Sequence, residues 1–369
     1  MLFSILALVV KPSPYRRLLF LPLLLMSQYL MSLSTGNPTL DYSFGTAWFP
    51  YLFSASDFIL LTNVQRELRL VKPPQRADEP IENAPLSRRI AWGTKLFTST
   101  RGLGWAHEPR HANPPRPSPS TPRGAFVRSQ LLQAVGFAAL CEAVNFSNMR
   151  NPALYAGGPS LAAAGWVRRY QVVWAWSIPM AALPMFNHAL SAAFSVGTGA
   201  SGPEDWPPFM GSITLAWSVR NFWGRVWHQT MRRFLSAHGK FVAHRLMGLK
   251  PGSATSAYTQ LYVAFLISGI MHYLPEYMAL RHWGGGALLF FLLQAVAITL
   301  EECVQSIGRR LGLTASWRWK VVGYFWVWSW FALCLPIWQD PLLHEGVFEE
   351  IRYSAIVMLR RRHLQAVGS

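Results

Sequence analysis

The sequence YTQLYVAFLISGIMHYLPEYMAL, residues 258–280, decides the fold of this chain. A bilayer is crossed by a helix of about 20 mostly apolar residues, and this run has that length and composition. His272 lies deep inside it. An ionisable side chain is costly to hold within a membrane, so a residue of this kind is a candidate for function. His272 is therefore the first candidate site residue.

A polar stripe interrupts the helix that this run predicts. With helical periodicity, Ser268, Gly269, His272 and Glu276 fall on one face. The stripe predicts a cavity lined by His272. The alternative is a core histidine that only bonds a neighbouring helix, and the pattern alone does not choose between the two.

The composition extends the membrane prediction to the whole chain. Its 369 residues are 51% hydrophobic and only 14% charged, with a mean hydropathy of +0.18. These values are typical of an all-α polytopic membrane protein rather than a soluble one. We predict about seven to nine transmembrane helices, where the uncertain ones are the short ends 1–10 and 348–359. The seven expected spans are residues 17–33, 46–63, 130–147, 172–196, 257–281, 285–303 and 320–338.

The basic residues predict the orientation of these spans. The chain has 34 Lys and Arg against 17 Asp and Glu, a net charge of +17, and its basic loops are residues 64–129, 197–256 and 304–319. Counting spans places all three loops on one side, which the positive-inside rule makes cytosolic. We expect a multi-pass integral membrane protein of the endoplasmic reticulum.

We predict one membrane-embedded domain over residues 1–369. The Pro/Arg-rich part of the first basic loop, residues 106–124, is expected to be flexible. A nucleic-acid partner is not expected, because no recognition motif accompanies the pI near 10.4. The cysteines lie singly in apolar segments without CxxC spacing, so neither a metal site nor a disulfide framework is predicted.

A second candidate region is SITLAWSVRNFWGRVWHQTMRRF, residues 212–234, which is too charged to span and strongly periodic. The pattern predicts a cytosolic amphipathic helix. Asn221, Arg225, His228 and Arg232 form its polar stripe. The stripe is compatible with a surface helix that touches anionic lipid head groups. The geometry of the wheel favours that surface helix, and the alternative is a site for a phosphorylated, pyrophosphate-bearing or thioester ligand; periodicity alone does not choose between the two.

Three segments resemble the wax-synthase-like branch of the membrane-bound O-acyltransferases. The longest is WPPFMGSITLAWSVRNFWGRVWHQ, residues 206–229. The others are RGLGW, residues 101–105, which is similar to the family's RGIGW element, and SGIMH, residues 268–272, which is similar to the segment bearing its essential histidine. The resemblance covers the chain from about residue 100 to residue 280 and is specific in order and spacing.

This resemblance implies transfer of an acyl group from coenzyme A to an alcohol. It assigns His272 as the catalytic histidine and Asn221 as an orienting hydrogen-bonding residue at a position that is often acidic in relatives. The rest of the motif would shape the coenzyme site and an internal reaction chamber, and the nearby arginines would attract the coenzyme's phosphates. The residues concerned are Arg220, Trp223, Arg225, Trp227, His228, Gln229 and Arg232.

The residues fit direct acyl transfer. An alcohol is a poor nucleophile at neutral pH, and imidazole is a suitable base for it. Because GxSxG is absent and the cysteines are dispersed, we expect attack in a ternary complex without an acyl-enzyme. Glu276 is expected to be structural. We expect no bound cofactor and no metal, with acetyl-CoA or another acyl-CoA as co-substrate.

The resemblance favours a fungal acetyltransferase that modifies a lipophilic terpenoid or meroterpenoid alcohol arriving through the bilayer. Long-chain wax-ester synthesis is the closest alternative. A transporter or receptor is a second class, since intramembrane Asp57, Glu142 and His188 would be ordinary there. A prenyltransferase or terpene cyclase is disfavoured because paired DDxxD-type motifs are missing. The sequence leaves the oligomeric state open.

Overall fold

The computed structural model describes residues 2–71, 80–109, 111–163, 165–314 and 316–347. The predictions for residues 348–359 fall outside these ranges. The α-helices, in chain order, are α1 (Leu2–Val9), α2 (Leu21–Ser32), α3 (Pro38–Ser56), α4 (Val64–Glu67), α5 (Leu86–Thr98), α6 (Arg123–Asn148), α7 (Trp166–Gly197), α8 (Val219–Asn221), α9 (Arg232–Lys240), α10 (Ala254–Leu280), α11 (Ala287–Arg310) and α12 (Trp317–His344).

Shorter helical turns connect these helices. The 3-10 turns are Pro14–Phe20, Ile81–Asn83, Pro152–Leu154, Pro203–Asp205 and Ile213–Leu215, and the π-helical turns are Asp57–Leu61, Phe222–Val226 and Phe241–Leu246. Within the described ranges, β-structure is limited to a single antiparallel bridge between Leu70 and Trp105. The all-α prediction is therefore confirmed.

The predicted spans all fall on helices. Within the described residues, α6, α10, α11 and α12 are long and apolar enough to cross a membrane by length and composition. The other three predicted spans lie on α2 with the 3-10 turn before it, on α3 with the π-helical turn after it, and on α7. A bilayer excludes exposed backbone polar groups, so helices of this kind are the expected solution.

The helix that carries His272 lies at the centre of the bundle. Ser253 begins α10 by accepting the backbone N–H of Ser256 at 3.2 Å, and the helix ends at Arg281, whose φ is 60°. It packs against α3, α9 and α11. At Gly269 the backbone of α11 comes so close that an added Cβ would lie 3.1 Å from the Cα of Leu288.

One face of the bundle is suited to lipid. In α6 only 11% of the residues of an apolar 18-residue stretch are buried, and Leu131, Leu132 and Val135 are exposed. A contiguous apolar surface of this kind is costly in water and is expected in a bilayer. The N-terminal α1, which the sequence left uncertain, has eight residues and packs against α5. Arg89 of α5 and Gln65 of α4 donate to the carbonyls at the end of α1.

The predicted amphipathic helix over residues 212–234 is wrong as one continuous helix. The segment is divided into a 3-10 turn, the single turn α8 and the π-helical turn Phe222–Val226, after which Trp227 is extended. Tertiary contacts override the periodicity. Glu301 of α11 accepts the backbone N–H groups of Val219 and Arg220 at 2.6 and 3.2 Å, and Gly211 donates to the carbonyl of Val226 at 2.8 Å.

A polar, periodic helix is present slightly further along the chain. It is α9, Arg232–Lys240, which is followed by the π-helical turn Phe241–Leu246. Phe234 and Gly239 form its buried side, and α10 packs against it. Between residues 106 and 122 the described chain is irregular. Within this segment Arg116 pairs with Glu108 at 2.5 Å, and Arg116 also donates to the carbonyl of Glu204 at 3.3 Å, which connects the segment to the Pro203–Asp205 turn.

Candidate functional site

His272 lies in an aromatic enclosure between three helices. Its ring is stacked on Phe291 of α11, with 4.8 Å between centroids and 7° between planes. Trp338 of α12 contacts the same ring at 5.0 Å and 60°. The ring is half-buried although its neighbours Met271, Ser268 and those of α11 are buried.

One nitrogen of this ring is without a partner. Nδ1 of His272 is buried and makes no hydrogen bond to any described residue. A buried polar atom left unpaired costs about 1–3 kcal/mol, so native proteins rarely retain one without a reason. Glu276, one turn away, does not fill the role, because its carboxylate accepts the N–H of Ala287 at 3.1 and 3.2 Å and caps α11.

Aromatic contacts join the motif segment to His272. Trp227 lies 5.9 Å from Trp223, Trp223 lies 5.8 Å from Phe291, and Phe291 stacks on His272. Gln294 of α11 fixes this row, since its Oε1 accepts the indole N–H of Trp223 at 3.3 Å. Two segments that are more than 40 residues apart in sequence therefore meet at one place.

His228 stands at the end of the row of aromatic contacts that leads through Trp227 and Trp223 to Phe291 and His272. The Nδ1 of His228 is 2.8 Å from the hydroxyl of Thr230, and its ring contacts Trp227 and Phe209. Burial, followed by the nearby Arg101, lowers the pKa of His228 to about 4. This imidazole is therefore neutral at physiological pH.

Three further residues named from the sequence lie in α8 and in the π-helical turn that follows it. Asn221 is in the single turn α8, where its backbone N–H donates to Ser218 Oγ at 3.0 Å. Arg220 forms an ion pair with Glu302 of α11 at 2.5 Å. Arg225 is exposed. The predicted stripe of polar residues does not form, because the π-helical turn and the extended Trp227 break the helical spacing.

A basic cavity of about 690 Å³ lies where two of the predicted cytosolic loops meet α9. Its walls carry five arginine or lysine side chains against two carboxylates, together with three histidines and Gln229. The charged residues are Arg101, Arg232, Arg233, Lys240, Arg245, Glu67 and Glu108, and the histidines are His107, His111 and His244. A concave site with this charge favours an anionic ligand.

The cations of this cavity, hereafter the basic cavity, are held in place by their neighbours. Asp57, which is fully buried, pairs with Nε of Arg233 at 3.1 Å. The guanidinium of Arg233 also lies 5.2 Å from the ring of Phe58. Arg232 donates to Gln229 Oε1 at 2.8 Å and to the carbonyl of Gly224 at 3.2 Å.

Arg101 connects two of the sequence motifs. It belongs to the RGLGW segment and donates to the carbonyls of Pro207 and Pro208, which belong to the WPPF segment, at 3.0 and 2.7 Å. Trp105 of the same segment is buried and contacts Trp92. Burial lowers the pKa of Arg101 to about 10, so it remains a cation at neutral pH.

Sequence reasoning missed most of the basic cavity. It named Gln229 and Arg232, but not Arg101, Arg233 or Lys240. Arg101 lies more than 120 residues before Gln229, so no spacing could group these two residues, whereas Arg233 and Lys240 follow Arg232 in the same loop and could have been grouped with it. Among the described residues, no cluster of three or more His, Cys, Asp or Glu side chains could hold a metal ion.

Comparison with protein families agrees with the motif segments. The profile of the family described as "Membrane bound O-acyl transferase family" matches residues 206–293, which contain the broken motif segment, α10 and the first part of α11. Together with the long apolar helices, this match defines the class of protein as an integral membrane acyltransferase.

Curated relatives extend the similarity to most of the chain. Acetyltransferase ple2 of Rhodocybe pseudopiperita is 36% identical over 338 residues, which cover 90% of this chain and 86% of that protein. Acetyltransferase eriL of Hericium erinaceus is 34% identical over 337 residues, with the same two shares. No solved structure is a significant match. The chain therefore belongs to the membrane-bound O-acyltransferase family, and it is an enzyme similar to fungal acetyltransferases.

Proposed function

We propose that this enzyme transfers an acetyl group from acetyl-CoA to a hydroxyl group of a hydrophobic terpenoid or meroterpenoid natural product in secondary metabolism. The observation that carries the proposal is His272, an imidazole with an unpaired buried nitrogen in an aromatic enclosure beside the family's motif segment. The names of its relatives support acetyl as the transferred group.

In the proposed reaction His272 is the general base. It removes the hydroxyl proton while the alcohol oxygen attacks the thioester carbonyl carbon. The carbon–sulfur bond then breaks, the thiolate leaves with the electron pair, and His272 returns the proton to it. The products are the acetyl ester and free coenzyme A. A base of this kind contributes roughly 10²–10⁴-fold to the rate.

We assign the role of a second polar group to His228 rather than to Asn221. The ring of His228 contacts Trp227, which belongs to the row of aromatic side chains that leads to His272. If the hydroxyl of Thr230 donates to Nδ1 of His228, then Nε2 of that ring carries the proton and can donate to the thioester oxygen. A fixed donor at this position stabilises the negative charge that develops during attack.

The basic cavity is the proposed site for the nucleotide part of the coenzyme. Its excess of cations suits the phosphates, and arginine binds phosphate oxygens through two N–H groups. Gln229 lines this cavity, and the preceding residue is His228. The motif segment therefore leads from the basic cavity towards the aromatic contacts of His272, and the pantetheine arm would follow it.

Release of free thiol from acetyl-CoA tests the proposal. Membranes containing the wild-type protein are expected to release thiol when a terpenoid alcohol is added, with formation of the acetyl ester. His272→Ala should lower this rate by at least roughly 100-fold, because the base is removed. His282→Ala is the matched control, since His282 is exposed just beyond the end of α10. Equal rates for wild type and His272→Ala would remove His272 from the mechanism.

A further inference from the structure

We infer that Phe291 and Trp338 limit the acyl group to a short chain. This inference rests on the proposed function, because it concerns the acyl donor of the same site. Both side chains contact the ring of His272 directly, at 4.8 and 5.0 Å between centroids. They therefore border the space in which the acyl group must lie.

The position of the acyl group follows from the reaction. The base must lie within hydrogen-bond reach of the hydroxyl, at about 2.6–3.2 Å, and the hydroxyl oxygen must approach the thioester carbonyl carbon at about 3–3.5 Å. The first carbon of the acyl chain is bonded to that carbonyl carbon. Side chains that touch the imidazole therefore restrict the first few carbons of the chain.

The two aromatic walls leave little room for a longer chain on their side of the ring. Phe291 is stacked nearly parallel on His272, so nothing fits between the two planes. Trp338 closes the adjoining side and packs against Phe290 and Phe291 at 5.1 and 5.3 Å. At Gly269, one turn before His272, α10 and α11 are already in backbone contact.

These walls are also held rigidly. Gln294 of α11 is fully buried, accepts the indole N–H groups of Trp223 and Trp330 at 3.3 and 3.1 Å, and donates to the carbonyl of Phe290 at 2.9 Å. Trp223 in turn contacts Phe291. Displacing Phe291 to admit a longer chain would disturb this buried network, and such networks resist partial rearrangement.

Chain-length preference tests the inference. Rates of thiol release are compared for acetyl-CoA, butyryl-CoA and hexanoyl-CoA with one acceptor alcohol. Wild type should prefer acetyl-CoA. Phe291→Ala and Trp338→Ala should raise the hexanoyl-to-acetyl rate ratio at least about tenfold, the smallest discrimination that one methylene group usually produces in an apolar pocket. The milder Phe291→Leu and Trp338→Phe, which keep more of the packing, should shift the preference towards butyryl-CoA.

A matched control separates chain length from general damage to the core. Phe331 is buried in the same aromatic cluster and contacts Trp223 and Phe290, but no ring contact joins it to His272 among the described residues. Phe331→Leu should change the rate without changing the preference. If the variants at Phe291 and Trp338 lower all three rates by one factor, or if wild type uses hexanoyl-CoA as well as acetyl-CoA, the inference is overturned while acyl transfer stands. Absence of thiol release by wild type with every donor would overturn the proposed function as well.

Discussion

At the scale of single residues, His228 and His272 illustrate what a sequence can and cannot assign. A histidine inside an apolar run is conspicuous, so His272 could be selected from the sequence alone. The choice of its partner could not. Asn221 and His228 both lie on the polar stripe of the helical wheel, but in the structure a π-helical turn and the extended backbone at Trp227 stand between them along the chain.

The lowered pKa of His228 predicts an effect of pH on stability. In the unfolded chain the pKa of His228 is near its ordinary value of 6.5, whereas in the folded protein burial lowers this pKa to about 4. Between these values the unfolded state binds more protons, so the contribution of His228 to folding stability falls as the pH is lowered from 6.5 towards 4. Above pH 6.5 this contribution is constant.

Thermal unfolding in detergent measures this effect. The unfolding temperature of wild type minus that of His228→Asn should decrease as the pH falls through this window, because the variant has no imidazole to protonate. Subtracting the variant removes the contribution of other groups that titrate in the same range. A difference that is constant from pH 7 to pH 4 would contradict a buried, neutral His228.

At the scale of elements, the long helices could be predicted and the motif segment could not. Apolar windows of sufficient length locate α6, α10, α11 and α12 because the bilayer demands such windows. Over residues 212–234 the periodicity was strong but irrelevant, because Glu301 on α11 fixes the start of α8 and the aromatic side chains pack inwards. Contacts with elements that are distant in sequence determine the conformation of such segments, and the local sequence pattern does not reveal those contacts.

The ion pair between the residue that follows α3 and a residue of α9 leads to a prediction about binding of the acyl donor. Asp57, just after α3, holds Arg233 against the basic cavity. Asp57→Asn should loosen this guanidinium and raise the KM for acetyl-CoA by about tenfold with little change in kcat, since contacts to charged groups contribute about 1.5–3 kcal/mol. The KM for acetyl-pantetheine, which lacks the nucleotide phosphates, should not change.

The opposite end of α3 provides the control. Asp41 pairs with Arg281 at 2.8 Å and is also buried, but it lies near the start of α3. Asp41→Asn therefore removes an equivalent buried charge without touching the basic cavity, and it should leave both KM values as in wild type. A similar rise in KM for acetyl-CoA and for acetyl-pantetheine in Asp57→Asn would show that Asp57 acts on the fold and not on phosphate binding.

At the scale of the whole molecule, the fold carries two different kinds of surface, a basic cavity and an apolar flank. The basic cavity is formed by loops predicted to be cytosolic, where the proposed acyl-CoA donor would be available. The apolar flank formed by α6 is suited to lipid, from which a hydrophobic alcohol can arrive. His272 lies on α10, which packs against α9 of the basic cavity, and the difference between the two surfaces is the reason for proposing separate routes for donor and acceptor.

The most direct measurement of the central claim is the product itself. Cells that supply a terpenoid alcohol are given either the wild-type gene or His272→Ala, and their extracts are compared by mass spectrometry after equal protein levels in the membrane fraction have been verified. We predict a metabolite heavier than the alcohol by one acetyl group with wild type and only the unmodified alcohol with the variant. The same acetylated metabolite in equal amount from both would contradict the role of His272 as the base.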